Sequence, residues 1–332
     1  PSDKQFGISL DCDQYVLAMV AGYPSYTTTM SNSGVAVVFE NISDTWALAH
    51  QIYPEDPQMD GLFGASVSMS GDSYMISVGA TGGVNSVGTT TGAIYIFYAG
   101  TGSYSQIAKF APNDLSLYSE FGKSCSMTRD GLRLIVGAPN CEVNLSLNVG
   151  AVYVYELVSG QWAFRQRLLS NMSQIINVYT PFRFGNTVKF GSRGKIAVVS
   201  SQATINDVQL AGDIFVYRND SMNILTLEAH ITVPFEALNG FPISPNFGLS
   251  ISISEDEKTI IVGVPGDLPN GSILRYDYVN NMWILRSKYT STLLSNDSAL
   301  GTSSFITADK NFILAGAIKA NPNGVLVAFS AD

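Results

Sequence analysis

Phe63–Ala80 reads FGASVSMSGDSYMISVGA, and Gly92–Phe97 follows as GAIYIF. Two alternating apolar runs flank a Ser-Gly-Asp-Ser turn and a third opens on a glycine, so the stretch spells three short antiparallel strands. The same grammar returns as FGKSCSMTRDGLRLIVGAP (Phe121–Pro139) and GAVYVY (Gly150–Tyr155). Working outward, Phe-Gly stands at Phe6, Phe63, Phe121, Phe184 and Phe247, with Leu300-Gly301 as a degenerate sixth. Sixteen residues after each anchor come Gly22, Gly79, Gly137, Ser200, Gly263 and Gly316. A glycine opens a third strand at Gly34, Gly92, Gly150, Gly212, Gly271 and Gly324, and a fourth segment begins at Trp46, Tyr104, Trp162, Ile224 and Trp283.

Each unit is therefore four strands, repeated at intervals of 53 to 63 residues. One such sheet cannot bury both faces, so the units must stack, and the pattern predicts an all-β, six-bladed β-propeller of four-stranded antiparallel blades. It predicts one domain over residues 1–332, with blades at about 6–62, 63–120, 121–183, 184–246, 247–299 and 300–332. The last blade lacks its outer strand, because the chain stops at Asp332, before that strand could begin. Either that blade is three-stranded or the native polypeptide extends further. The start at Pro1 likewise reads as a piece processed or excised from something longer.

These motifs resemble FG-GAP repeats, the units of integrin α-subunit propellers and of many bacterial and protist surface proteins. The resemblance covers essentially the whole chain and implies an extracellular or cell-surface recognition or adhesion module rather than an enzyme. One departure concerns calcium. Several integrin repeats carry a DxDxDG loop in the first hairpin, whereas these hairpins hold one or two carboxylates, and calcium needs about six to eight oxygens. The aspartates Asp72, Asp130, Asp256 and Asp309 are read as turn residues, with no metal and no cofactor expected.

Composition narrows the partners. The chain is 46% hydrophobic and 14% charged, with 27 acidic against 18 basic side chains and a net charge of −9. This excludes disorder as the main state, and the scattered Lys and Arg exclude a nucleic-acid groove. No apolar run approaches the roughly 18 residues a membrane span needs.

Loop lengths vary only between strands 2 and 3 and in the blade-crossing loops, which makes that face the expected binding face. It carries Tyr23, Tyr26 and Tyr53 in the first unit and Glu142 in the third. Tyr179, Phe182 and Arg183 follow the third unit, and Phe235 and Phe241 the fourth. Exposed aromatics with few charges suit a protein or glycan partner.

Two rival readings remain. One is a carbohydrate-active propeller enzyme drawing paired carboxylates from Glu55, Asp56, Asp60, Asp114, Glu120 and Glu142. The other is a structural subunit of a surface filament or virion. His50 and His230 are the only histidines, both expected on outer strands. Six Asn-x-Ser sequons, at Asn41, Asn144, Asn171, Asn219, Asn270 and Asn296, are expected in turns or loops and fit a glycoprotein. No disulfide is expected among Cys12, Cys125 and Cys141; Cys125–Cys141, several residues out of register, is the one conceivable exception.

Overall fold

The structure, a computed structural model, describes residues 5–100, 102–143, 148–170, 182–202, 211–239, 244–320 and 323–331. Among these residues 23 strands form six antiparallel sheets, and no α-helix occurs. Blade 1 is β1 (Leu10–Cys12), β2 (Ala18–Tyr23), β3 (Val35–Ile42) and β4 (Thr45–Ile52). Blade 2 is β5 (Phe63–Met69), β6 (Met75–Ala80), β7 (Ala93–Ala99) and β8 (Tyr104–Phe110). Blade 3 is β9 (Ser124–Met127), β10 (Arg133–Ala138), β11 (Ala151–Val158) and β12 (Gln161–Leu168). Blade 4 is β13 (Val188–Phe190), β14 (Ile196–Ser201), β15 (Asp213–Asn219) and β16 (Leu225–Thr232). Blade 5 is β17 (Ile251–Ile253), β18 (Thr259–Val264), β19 (Ser272–Val279) and β20 (Met282–Tyr289). Blade 6 has three strands, β21 (Leu300–Ile306), β22 (Phe312–Ala317) and β23 (Val325–Ser330). Strand order is sequential in every sheet, so this is the six-bladed β-propeller fold that the repeat predicts. The chain divides into two compact units, Pro1–Tyr179 with Arg183–Gly185, and Thr180–Phe182 with Asn186–Asp332.

The strands bury as their residues dictate. β10, β14 and β18 are buried along their whole length, as expected for near-continuous apolar runs covered on both faces. The outer strand β8 instead alternates half-buried and exposed residues. Each of blades 1 to 5 carries a bulge between its third and fourth strands, at Val38/Phe39, Ile96/Phe97, Val154/Tyr155, Val216/Tyr217 and Arg275/Tyr276. One extra outer-strand residue at each bulge bends that strand and strengthens its twist.

The first hairpins close by Asx chemistry. Asp72 Oδ1 accepts hydrogen bonds from the Ser70 hydroxyl and the Tyr74 amide, and Asp130 does the same for Thr128 and Leu132. Asp256 and Asp309 repeat it with Ser254 and Thr307. These carboxylates are spent on turn geometry, as the sequence suggests. Blade 4 lacks the aspartate, and Glu257 of blade 5 stands in, taking the Arg193 amide at 2.7 Å.

The repeat glycines mark close approach. A Cβ built on Gly22 would lie 2.0 Å from the Gly64 carbonyl oxygen, and the same 2.0 Å separates Gly79 from Gly122 O, Gly137 from Gly185 O and Gly263 from Gly301 O. That carbonyl also accepts a hydroxyl three residues past an anchor: Ser9 to Gly64 at 3.0 Å, Ser66 to Gly122 at 2.8 Å, Ser124 to Gly185 at 2.9 Å and Ser250 to Gly301 at 2.9 Å. Phe63, Phe121, Phe184 and Phe247 are buried at 1% exposure or less beside these contacts.

Three sequence expectations need qualification. Asn41 and Asn219 lie inside β3 and β15 rather than in loops, each in the last two residues of a strand that the turn signals had ended earlier. Asn270 is 8% exposed and donates to the Ser291 and Leu294 carbonyls at 3.1 and 3.2 Å, so its amide is occupied and inaccessible to a glycan. Asn296 is exposed, whereas Asn144 and Asn171 lie outside the described residues. All three cysteines are free thiols; Cys125 pairs in register with Val136, well short of Cys141. Trp162 and Trp283 pack on their blade cores, but Trp46 is 40% exposed.

Glu228 on β16 accepts hydrogen bonds from Arg218, the Tyr278 hydroxyl and the Trp283 indole, the last two at 3.0 Å. Burial pushes this carboxyl up, but the bonds from Arg218, Trp283 and Tyr278 outweigh it and hold the group below its ordinary value. A depressed carboxyl stabilises the fold above its unfolded pKa, and that contribution is lost as pH falls through the lower, folded value. Glu228→Gln should therefore lower the melting temperature at pH 7 and narrow the gap to wild type in acid, followed by thermal melts across pH 2 to 7. Gly79→Ala, which drives a methyl into a backbone carbonyl, should cost about 3 kcal/mol or more in urea unfolding. Gly100→Ala, whose nearest neighbour would be 3.9 Å away, should stay within about 0.5 kcal/mol.

Candidate functional site

The loop between β6 and β7 meets the two blade-crossing loops that flank it, and together they enclose a cavity of about 580 Å³. Its polar lining is Gln58 and Asp60 from the first crossing loop, Thr81 and Thr90 from the β6–β7 loop, and Tyr118 and Glu120 from the second crossing loop. Met59, Leu62 and Val84 supply apolar wall. Among the described residues that line it, none is Lys, Arg or His. The loop families are those singled out by length variation, and two of the six loop carboxylates open into one space.

Backbone bonds hold this geometry. Asp60 N–H reaches Ser31 O at 2.9 Å, Leu62 N–H reaches Asn32 O at 3.0 Å, and Tyr118 N–H reaches Thr90 O at 2.7 Å. Asp60 Oδ1 accepts from Asn32 Nδ2 at 2.8 Å, and Glu120 Oε2 lies 3.6 Å from Lys123 Nζ at the margin. Asp60, Leu62, Tyr118 and Glu120 all have φ between 53° and 59°. That conformation belongs to the crossing loops in general, since Arg183, Asn246 and Ala299 adopt it before later anchors. It positions the carboxylates without marking them as special.

The other loop acids have structural partners. Asp56 accepts from the Tyr95 hydroxyl at 3.0 Å and pairs with Lys109, while Asp114 accepts from the Tyr153 hydroxyl and from Arg167, both at 3.1 Å. Burial first, then the neighbouring carboxylate, pushes the Tyr95 phenol far above its ordinary value, so it stays a donor. Burial does the same for Tyr153 and outweighs the opposing pull of Arg167, with the Asp114 carboxylate adding to the rise. Glu55 and Glu142 are tied by their amides, to Gln106 and to Ser116.

Of the aromatic residues expected to bind a partner, Tyr23, Tyr26 and Tyr53 come together on the first blade: Tyr23 and Tyr26 lie tilted at 5.3 Å, and Tyr53 interacts with Tyr26 and donates to Gln51 at 2.7 Å. Phe182 is a correction: at 2% exposure it packs on Phe215 at 5.9 Å, buried by its own hydrophobicity rather than presented at a rim. Phe235 is half-buried in a short 3-10 turn, packed on the core of blades 4 and 5. Arg183 is half-buried beside its anchor, and Glu142 is exposed. Tyr179 and Phe241 lie outside the described residues.

Sequence reading passed over a second cluster. Ser201 pairs across the strands with Asp213, and His230 Nε2 lies 3.1 Å from Asp213 Oδ2. The residue types suggest a nucleophilic triad, but the repeat explains them otherwise. His230 faces Phe215 where Lys109 faces Tyr95, Arg167 faces Tyr153 and Lys288 faces Leu274, and each of those cations also meets a carboxylate. His230 stacks flat on Phe215 at 4.4 Å, as Lys109 and Arg167 lie over their tyrosines. Ser201 and Asp213 are 0% and 2% exposed, out of reach of a substrate. Nothing among the described residues groups three metal-ligating side chains.

Residues 46–97 and 104–155 match the family model of the FG-GAP repeat, so the chain carries FG-GAP repeats on a six-bladed propeller. A search of curated proteins returns no match. Among solved structures, a protein provisionally named 6-phosphogluconolactonase from Bacteroides uniformis aligns over 98% of this chain and 86% of its own, with a TM-score of 0.60 at 10% identity. The periplasmic gluconolactonase of Pseudomonas aeruginosa aligns over 90% of this chain and 75% of its own, with a TM-score of 0.54 at 14% identity. At these identities the likeness is one of fold. It nevertheless corrects the expectation of a non-enzymatic adhesion module: these two similar folds bear lactonase names, and FG-GAP repeats support the propeller fold without implying adhesion. No helix among the described residues is long and apolar enough to cross a membrane.

If His230 is a blade-packing residue, His230→Lys should fold with an unchanged or higher melting temperature, because lysine already occupies that position in blades 2 and 5. A loss of catalytic turnover in that variant at full stability would instead assign the cluster to chemistry.

Proposed function

We propose that this FG-GAP-repeat propeller is an extracellular or periplasmic hydrolase of a neutral sugar-derived lactone, and that the Asp60–Glu120 cavity is its active site. The observation that carries the reading is the meeting of two carboxylates with hydroxyl and amide side chains, and no cation, in one cavity of about 580 Å³. Carboxylates and hydroxyls suit a polyhydroxylated ring, and a carboxylate can serve as general base for attack by water. Glu120, the half-buried member, takes the proton of the attacking water as the new C–O bond forms at the lactone carbonyl. Collapse of the tetrahedral adduct breaks the ring ester bond, and the ring oxygen leaves as a hydroxyl by taking that proton back from Glu120, which returns to its carboxylate form. Asp60, held by Asn32, accepts sugar hydroxyls and sets the ring's orientation. Tyr118, which lines the cavity, donates its hydroxyl to the developing oxyanion.

The charge balance also chooses between the substrates named for the two neighbours. A phosphate dianion beside two carboxylates would be repelled, and Lys123, 3.6 Å from Glu120, is already paired. The unphosphorylated lactone is the better fit. Under pH-stat, glucono-1,5-lactone should open faster than its spontaneous rate and faster than the 6-phospho compound. Glu120→Gln should lower kcat about 100-fold at unchanged melting temperature, and Asp60→Asn should act chiefly on KM. Hydrolysis by wild type at the spontaneous rate would sink the proposal.

A further inference from the structure

A second cavity, of about 460 Å³, opens between the outer strands β8 and β12 and the start of the loop that crosses between them. Its volume lies within the roughly 300–1,000 Å³ of small-molecule sites. Aromatic rings form the floor: Phe110 stacks on Tyr155 at 4.2 Å and 25°, and Phe164 stands edge-on to Tyr155 at 6.0 Å. Asn113 and Asp114 stand on the crossing loop above them.

The repeat shows why the space exists here. Phe164 opposes Tyr155, just before the bulge, as Gln106 opposes Phe97 one blade earlier. Gln106 Oε1 accepts the Glu55 amide at 3.1 Å and so ties the preceding crossing loop to the outer strand. A phenyl ring cannot accept that bond. At the equivalent place Phe164 remains 55% exposed, and a cavity stands beside it.

The charges around this cavity are already matched. Lys109 pairs with Asp56 at 2.5 Å and Arg167 with Asp114 at 3.1 Å, so a charged ligand gains little. Asp114 receives both the Tyr153 hydroxyl and Arg167 on Oδ2, which leaves Oδ1 as an acceptor. An apolar floor with a neutralised hydrogen-bonding rim fits a ring with one apolar C–H face and hydroxyls around its edge. The geometry points to a noncatalytic binding site for a neutral pyranose in the groove between blades 2 and 3, separate from the Asp60–Glu120 cavity and independent of the reaction assigned there.

Saturation-transfer NMR with methyl glucopyranoside, galactopyranoside and mannopyranoside tests it on the whole chain. At least one should bind, and Phe164→Gln, which installs the residue of the preceding blade, should weaken it by about tenfold or more without changing the melting temperature or lactone turnover. Phe164→Trp keeps an aromatic floor and should retain binding; its loss there would overturn the assignment, as would silence from all three sugars or equal affinity in Phe164→Gln. Glu120→Gln separates the two sites. Binding that survives it stands even if lactone hydrolysis fails, whereas binding lost in Glu120→Gln and kept in Phe164→Gln would place the sugar in the other cavity and end the proposal.

Discussion

A backbone carbonyl pressed against a Cα that has no side chain governs this molecule. Where Gly64, Gly122, Gly185 and Gly301 present their oxygens to Gly22, Gly79, Gly137 and Gly263, any Cβ would sit at 2.0 Å. The serine hydroxyl that bonds the same oxygen satisfies a buried acceptor at the tightest point of the packing. A contact of this kind has no slack, which is why the spacing of 16 residues survives while loop lengths drift. The exception at Ser200 shows what relaxation needs. There the serine Oγ accepts the Thr187 amide at 3.0 Å, and the Thr187 hydroxyl turns to Leu249 O at 3.0 Å, so the junction is rebuilt with a different hydroxyl.

With the frame set by packing, charge is handled locally. Loop acids and outer-strand cations neutralise one another: Asp56 with Lys109, Asp114 with Arg167 and Asp267 with Lys288. The first two pairs clamp a crossing loop onto an outer strand, and the third clamps the β18–β19 loop. Asp60 and Glu120 stand apart because their partners, Asn32 and Lys123, lie at the margin of a cavity rather than across it. The clamp pattern therefore lapses at this cavity.

Much of this was legible in one dimension. Anchors, hairpin aspartates and the short last blade follow from periods and turn chemistry, which depend on residues near in sequence. The hydroxyl residue three past each anchor, serine everywhere except Thr187, was equally periodic, and aligning the units would have exposed it. Phe182 was not legible as core, because a loop aromatic and a buried aromatic look alike until the packing around them is known. The same holds for Asn270, whose amide is held by two carbonyls more than twenty residues away in sequence. Among the candidate carboxylates, residue type alone could not separate Asp60 and Glu120 from Asp56 and Asp114; that division depends on which loops meet.

The sequence by itself determined the blade, its four strands, its turns and the six-fold repetition, since each is encoded by local periodicity and by glycines that tolerate no substitute at a close approach. Only the tertiary structure decided which acids are paired and which open into a cavity. It also decided that Gln106 closes one groove where Phe164 leaves the next one open. Those outcomes rest on contacts between segments about fifty residues apart, where a hydrogen-bond acceptor or its absence acts through space and leaves no trace in the order of residues.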